Sequence, residues 1–170
     1  LLFFTDVRLP ADALLGEANK GFAILMDELP RERLGIAAQA VAASEGALDV
    51  TVEYVKEREA FGQKIGGFQN TRFKLADVKT DIAINRAFYE KCMEKYANDD
   101  LSSEEAAMLK LASCEMQCRV ADQCLQCFGG YGYTTEYPIS RFYVDARIQP
   151  IYGGTSEIMR ELVARSILGR

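Results

Sequence analysis

Apolar residues recur at helical spacing through three long stretches of this chain, and that spacing restricts its fold more than any other feature. It predicts three long helices and two shorter ones, at about 22–58, 69–96, 103–128, 139–146 and 155–167. Pro30 lies inside the first stretch and is expected to break or kink that helix, because proline lacks a backbone N–H donor. Three long helices joined by short connectors, with a final helix, predict an all-α, up-down four-helix bundle.

The ends of the predicted helices carry their own signals. Ser102 followed by Glu105 is a capping box, in which each residue satisfies a backbone donor of the other. Gly129 and Gly130 end the third helix, since glycine readily adopts the left-handed conformation of a helix stop. Thr155 is a suitable N-cap for the final helix.

The first nine residues differ from the rest of the chain. Leu1 to Leu9 are β-prone and partly alternate in polarity, which predicts a short strand. A lone strand is not stable, so we expect it to belong to a sheet of a longer protein. The opening inside an apolar segment, without Met, supports that expectation. We therefore divide the chain into residues 1–16, a β-domain remnant with its linker, and residues 17–170, a helical bundle domain.

Composition excludes several classes of function. The chain has no histidine, which excludes Ser-His and Cys-His nucleophilic pairs and imidazole metal ligands. Its net charge of −5, with both signs interspersed, argues against a nucleic-acid partner. No apolar run approaches the ~18 residues of a membrane span, and no signal-peptide pattern indicates secretion. Proton transfer would have to use a carboxylate, Lys, Tyr, Cys or a cofactor.

Cysteines are the remaining candidates for a metal site. Cys114, Cys118, Cys124 and Cys127 lie close together, but on a helix the first two share a face and the other two point away. A four-cysteine zinc site normally uses two short-spaced loops. We therefore expect buried, reduced thiols and no metal.

The segment Arg58-Glu59-Ala60-Phe61-Gly62-Gln63, with Gln69 beyond it, has two explanations. It can be a helix C-terminus with a favourable cation and a glycine stop. Alternatively, the guanidinium of Arg58 can fork onto phosphate oxygens while the ring of Phe61 lies against a flat ligand.

Two further segments have the same ambiguity. Around Gln126, Gly129 and Gly130 the sequence is explained by a helix end and a turn, although the glycines also permit close approach of a flat ligand. Thr155-Ser156-Glu157 is explained by helix capping, although free N–H groups at a helix start also attract anions.

A pair of glutamates, Glu28 and Glu32, lies in the segment Glu-Leu-Pro-Arg-Glu-Arg of the first predicted helix. By themselves they are ordinary solvated helix charges beside Arg31 and Arg33. Near the C-terminus the chain reads Pro-Ile-Tyr-Gly-Gly-Thr-Ser-Glu-Ile over residues 150–158.

In their order and spacing, these segments resemble the C-terminal domain of the acyl-CoA dehydrogenase family, and the resemblance extends across essentially the whole chain. The stretch 143–155 is most similar to the long-chain branch, and 2–10 resembles the last strand of the family's middle β-domain. Most members have a glutamate where Gly153 stands, and it serves as the catalytic base. The long-chain and isovaleryl branches keep their base at the position that matches Glu32.

The resemblance implies an FAD-dependent oxidoreductase that converts an acyl-CoA thioester to its trans-2-enoyl-CoA, in fatty-acid or branched-acyl oxidation. It implies Glu32 as the base that removes the α-proton. It also implies substrate binding by Arg33, Gly153 and Gly154, with the Gly153 N–H polarising the thioester carbonyl.

The same resemblance implies a set of FAD contacts: Arg58, Phe61, Gln69, Gln126, Gly129, Gly130, Thr155, Ser156 and Glu157. Subunits of the family share FAD, so a homodimer or homotetramer is expected, with electron-transfer flavoprotein as the electron acceptor. The chain lacks the family's N-terminal domain and most of its middle domain, so we expect it to be inactive alone. The expected compartment is the cytoplasm of a bacterium or the mitochondrial matrix of a eukaryote.

Two other functions stay open at this point. One is a non-catalytic helical bundle used for assembly or partner binding, which would show no flavin reduction by an acyl-CoA. The other is an acyl-CoA oxidase-like flavoprotein, which O₂ rather than an electron-transfer flavoprotein would reoxidise.

Overall fold

The computed structural model of this chain describes residues 1–169, and five α-helices form that part of it. They are α1 (Gly21–Glu57), α2 (Gln69–Ala97), α3 (Ser103–Phe128), α4 (Ile139–Ile148) and α5 (Ser156–Leu168). The predicted all-α bundle is confirmed. The short connector after α1 contains a small antiparallel hairpin of β1 (Glu59–Ala60) and β2 (Gln63–Lys64).

The capping signals act as predicted. The Glu105 N–H donates to Ser102 Oγ at 3.1 Å, and the Ser102 N–H donates to Glu105 Oε2 at 3.2 Å, which completes the capping box of α3. Gly129 ends that helix at a φ of 58°. Thr155 caps α5 by accepting the Ile158 N–H at 3.4 Å. Local side-chain chemistry therefore sets these boundaries.

Pro30 does not break α1, which runs through it without interruption. Proline removes one intrahelical hydrogen bond, but its fixed φ is close to that of a helix. The turns that follow are held in place because Leu34, Ala37 and Ala40 are buried in the bundle. Packing therefore outweighs the local preference to end the helix here.

The strand predicted for Leu1 to Leu9 does not form. These residues are all exposed, and Phe3 retains 84% of its accessible surface. A strand needs a neighbouring strand to pair its backbone groups. The hairpin is the one sheet among residues 1–169, and it does not include this segment.

The core lies around α3, which contacts each of the other four helices. One apolar cluster joins α1, α2, α3 and α4 through residues that include Val41, Ile82, Met116, Val120 and Ile139. A second cluster joins the first part of α1 to the end of α2 and the start of α3, through Leu34, Ala37, Cys92 and Leu109. The turn between α4 and α5 lies against this central helix.

The cysteines are all free thiols, and three of them are buried. Burial raises the pKa of Cys114 and of Cys124 to about 11, so both stay protonated near neutral pH. No group of three or more metal-ligating side chains occurs in the described range. None of the helices within residues 1–169 is long and apolar enough to cross a membrane.

Candidate substrate and cofactor site

The turn between α4 and α5 carries the two glycines predicted to bind substrate. Gly153 has a φ of 65° and Gly154 a φ of 103°, conformations that residues with a β-carbon rarely adopt. A β-carbon at Gly154 would also lie 2.6 Å from Cε of the buried Met159. Both the backbone conformation and the packing therefore require glycine at 154.

Gly153 lies directly against α1. A β-carbon added at this residue would overlap Cδ1 of Ile36. Glu32 precedes Ile36 by one helical turn, so both side chains project from the same face of α1. The structure thus brings the candidate base and the vacant position 153 to one region, where Glu32 is exposed.

The side chain of Arg33, the neighbour of Glu32, points into the bundle, whereas Glu32 is exposed. Arg33 is only 4% exposed, and its Nη1 donates to Ser103 Oγ at 3.5 Å at the start of α3. Its Nε is buried without a hydrogen-bond partner within the described residues. Burial lowers the pKa of Arg33, and the carboxylate of Glu32 opposes that effect. A substrate contact of Arg33 therefore stays a prediction.

Lys110 is a component of the site that the sequence analysis missed. Its Nζ donates to the carbonyl oxygens of Gln149 at 3.0 Å and Gly154 at 2.7 Å, at either end of the Gly153 turn. It is 1% exposed, and burial lowers its pKa. The available signal was a lysine inside the apolar stripe of α3, next to Leu109, where a solvated charge does not belong.

Backbone N–H groups at the start of α5 already have hydrogen-bond partners within the chain. The Ser156 N–H donates to Pro150 O at 3.0 Å, and Thr155 takes the N–H of Ile158. Glu157 is exposed, and hydrogen bonds from its own backbone and from Thr155 lower the pKa of its carboxyl. Helix capping is therefore observed here, while flavin contact by these residues stays a prediction.

Four of the predicted cofactor residues line one cavity of about 520 Å³. It is lined by Arg58, Gln126, Gly129, Gly130 and Tyr131, among others. Nothing lies within 4 Å of a β-carbon added at either glycine, so the glycine surface is open to a flat ligand. The guanidinium of Arg58 lies 5.5 Å from the Tyr131 ring centroid, which holds it over this opening.

The hairpin after α1 presents Phe61 beside this cavity. Its side chain is 96% exposed and its φ is 52°, a conformation uncommon for a bulky residue. An edge-to-face contact at 6.3 Å joins the ring to Phe68, the residue before Gln69 at the start of α2. Phe61 and Gln69 thus occupy one end of the molecule together with Arg58.

The predicted cofactor residues therefore form two separate groups. Thr155, Ser156 and Glu157 line one cavity together with Cys118 and Arg119 of α3, next to the turn that contacts Ile36. Gln126 lies two turns further along α3, about 10 Å away at the rise of an α-helix. Gln126, Gly129 and Gly130 lie with Arg58.

The helical bundle thus has a Gly-Gly turn against its first helix and an Arg-Phe-Gly hairpin at its far end. The model of the family described as "Acyl-CoA dehydrogenase, C-terminal domain" matches residues 19–168. The chain therefore belongs to the acyl-CoA dehydrogenase family, whose members are flavoproteins.

Individual relatives agree with that assignment. The chain is 55% identical over 167 residues to the long-chain specific acyl-CoA dehydrogenase, mitochondrial, of Sus scrofa, covering 98% of this chain and 39% of the relative. The crystal structure of an acyl-CoA dehydrogenase from Geobacillus kaustophilus aligns with a TM-score of 0.93 at 42% identity. That alignment covers 97% of this chain and 43% of the other. The chain thus spans about two fifths of the length of its relatives.

A third similarity concerns electron transfer. A chain in a structure of the electron transferring flavoprotein of Acidaminococcus fermentans aligns with a TM-score of 0.93 at 40% identity. The alignment covers 98% of this chain and 44% of that one.

Proposed function

We propose that the complete protein carrying this chain is an FAD-dependent acyl-CoA dehydrogenase that converts an acyl-CoA thioester to its trans-2-enoyl-CoA. One observation carries the assignment of the base. Glu32 lies one turn from Ile36, whose side chain borders the position where Gly153 provides no carboxylate. An acid on α1 is therefore near enough to replace an acid on the turn.

The reaction removes two hydrogens from neighbouring carbons. The carboxylate of Glu32 takes the α-proton, and a carbon–carbon double bond forms as the β-carbon loses a hydride. When bound, FAD supplies the oxidising power by accepting that hydride. The N–H of Gly153 hydrogen-bonds the thioester carbonyl and so stabilises the negative charge that develops on its oxygen. Gly154 borders the substrate on this side, and the predicted contact of Arg33 would have to be made by a guanidinium that is buried against Ser103.

The residues present fit an FAD site that is divided between two copies of the chain. Arg58, Phe61, Gln69, Gln126, Gly129 and Gly130 would hold the phosphate and adenosine portion of FAD. Thr155, Ser156 and Glu157 would meet its flavin ring. The family resemblance supports a homodimer or homotetramer, in which a neighbouring copy supplies one of these groups.

The electron acceptor that fits best is an electron-transfer flavoprotein. Support comes from the similar chain in the structure of the electron transferring flavoprotein of Acidaminococcus fermentans. The mitochondrial relative supports a mitochondrial location if the protein is eukaryotic, where we propose the matrix, and we propose the cytoplasm if it is bacterial. The 170 residues span about two fifths of the length of the relatives, so we expect them not to turn over substrate by themselves.

The direct test is anaerobic addition of acyl-CoA to the complete, FAD-loaded protein. We expect loss of the flavin absorbance, followed by recovery when an oxidised electron-transfer flavoprotein is added. Absence of bleaching over a range of acyl lengths would contradict the proposal and favour an assembly module. Rapid recovery with O₂ alone would instead indicate an oxidase.

A further inference from the structure

We propose that Lys110 is a positioning residue, which holds the Gly153 turn so that its N–H meets the thioester carbonyl. This inference rests on the proposed function, because it assigns a role within the same site. The side chain reaches the turn from α3, the central helix of the bundle.

The geometry singles out the turn as the target of this lysine. Its ammonium donates to Gln149 O and Gly154 O, which flank the peptide that carries the Gly153 N–H. Its Cε would also lie 3.5 Å from a β-carbon at Gly153. Lys110 therefore bonds the turn at its start and its end, and its side chain lies beside Gly153 between them.

The turn needs such a support because its own backbone is permissive. Gly153 and Gly154 both have positive φ, and glycine has the widest conformational freedom of all residues. Other contacts define the rest of the turn, including the Ile151 N–H to Ile148 O at 2.9 Å and the Ser156 N–H to Pro150 O at 3.0 Å. Loss of the lysine should therefore loosen the glycines without unfolding the turn.

A buried ammonium is a costly way to hold a turn, which argues for a functional role. Lys110 forms no ion pair within residues 1–169, so carbonyl dipoles alone compensate its charge. A purely structural position would be occupied at lower cost by an apolar side chain. The charge also lies close to the backbone that would meet the developing oxyanion.

The test compares Lys110→Met with Lys79→Met, a matched loss of an exposed lysine on α2, in the complete FAD-loaded protein. A 3-thia-acyl-CoA, which binds but is not oxidised, reports polarisation through a long-wavelength absorbance band with the flavin. We expect Lys110→Met to weaken that band and to lower kcat by ~10- to 100-fold, the cost of an ångström-scale misplacement, with a smaller change in KM. Lys79→Met should leave both unchanged.

Hydrogen exchange provides the readout at the turn itself. In Lys110→Met the segment 149–156 should exchange faster, while the α1–α2 core keeps its protection. If the methionine variant does not fold, Lys110→Gln keeps a neutral donor, and the same three measurements apply to it. A folded variant with an unchanged band, kcat and exchange would overturn the inference. Absence of the band in the unsubstituted protein would instead contradict the proposed function.

Discussion

The side chain of Ile36 occupies the space that a side chain at Gly153 would need. Because Glu32 lies one turn before Ile36 on the same face of α1, positions 32 and 153 border one region from two sides. Under the proposed function, a carboxylate from either position would approach the same substrate carbon. The relation explains how a chain of this family can have glycine at 153 and still contain a candidate base.

Glu32→Gln in the complete protein tests that assignment. We expect kcat to fall by ~10²- to 10⁴-fold, the usual contribution of a general base, because the amide cannot take the α-proton. Flavin bleaching under single-turnover conditions measures the step directly. The matched control is Glu28→Gln, which removes an exposed carboxylate 3.6 Å from Arg31 on the same helix and should leave the rate unchanged. Equal rates in both variants would contradict a catalytic role for Glu32.

Moving the acid is a second test. The double variant Glu32→Gly with Gly153→Glu should recover part of the activity that Glu32→Gly loses. Two obstacles limit that recovery: the φ of 65° at position 153 and the overlap with Ile36 Cδ1. Since that atom is the tip of a flexible side chain, adding Ile36→Val should increase the recovery. The measurement is kcat across the series.

Failure of the double variant to exceed Glu32→Gly would indicate that the two walls do not serve one substrate carbon. A decrease on adding Ile36→Val would show that the overlap is not the obstacle. Ile36→Val by itself is the control, and we expect it to stay close to the unsubstituted rate.

Local sequence signals predicted the helices well, for identifiable reasons. Ser102, Glu105 and Thr155 act through backbone groups within one turn, so their effect is visible in the sequence. The error over residues 1–9 has the opposite cause, since a strand depends on partners elsewhere. The continuity of α1 through Pro30 likewise follows from tertiary burial, which periodicity does not measure.

The site was predictable only in part. Family-like spacing pointed to Arg58, Gln126 and the glycines, which share a cavity in the structure. Lys110 was missed because its partners are backbone carbonyls 39 and 44 residues away, which no local pattern encodes. The division of the cofactor residues into two cavities also became apparent only in the structure, because it depends on how α1, α3 and α5 pack.

Arg58→Gln should weaken FAD binding. The guanidinium, held over the cavity by Tyr131, would lose a charged hydrogen bond to phosphate, so we expect an affinity about 10- to 100-fold lower. The measurement is the flavin-to-protein ratio after gel filtration, together with a fluorescence titration of the apoprotein. Arg72→Gln, an exposed arginine on the first turn of α2, is the control. Equal flavin retention in the two variants would contradict the predicted contact.

Acid should loosen the connection between α2 and α3 through Glu105. A hydrogen bond from Lys95 at 2.6 Å and bonds from Ser102 lower the pKa of Glu105 below its ordinary 4.5. Its stabilising contribution is therefore complete above pH 4.5 and is lost as pH falls through the lowered value. The same bond raises the pKa of Lys95 above its ordinary 10.5, so the pair persists up to that pH.

Glu105→Gln isolates the charge, because glutamine still fits the capping box. Near neutral pH the variant should open this connection about two- to five-fold more often, as expected for a partly exposed ion pair. Hydrogen exchange over residues 97–110, compared with the unsubstituted protein at each pH, measures the opening and cancels the intrinsic pH effect. The difference should disappear as pH falls through the lowered pKa of Glu105, where its carboxyl becomes protonated in the folded protein. Glu94→Gln, which removes an exposed carboxylate nearby, should show no pH-dependent difference from the unsubstituted protein. A pH-independent difference for Glu105→Gln would show that its charge is not what stabilises the connection.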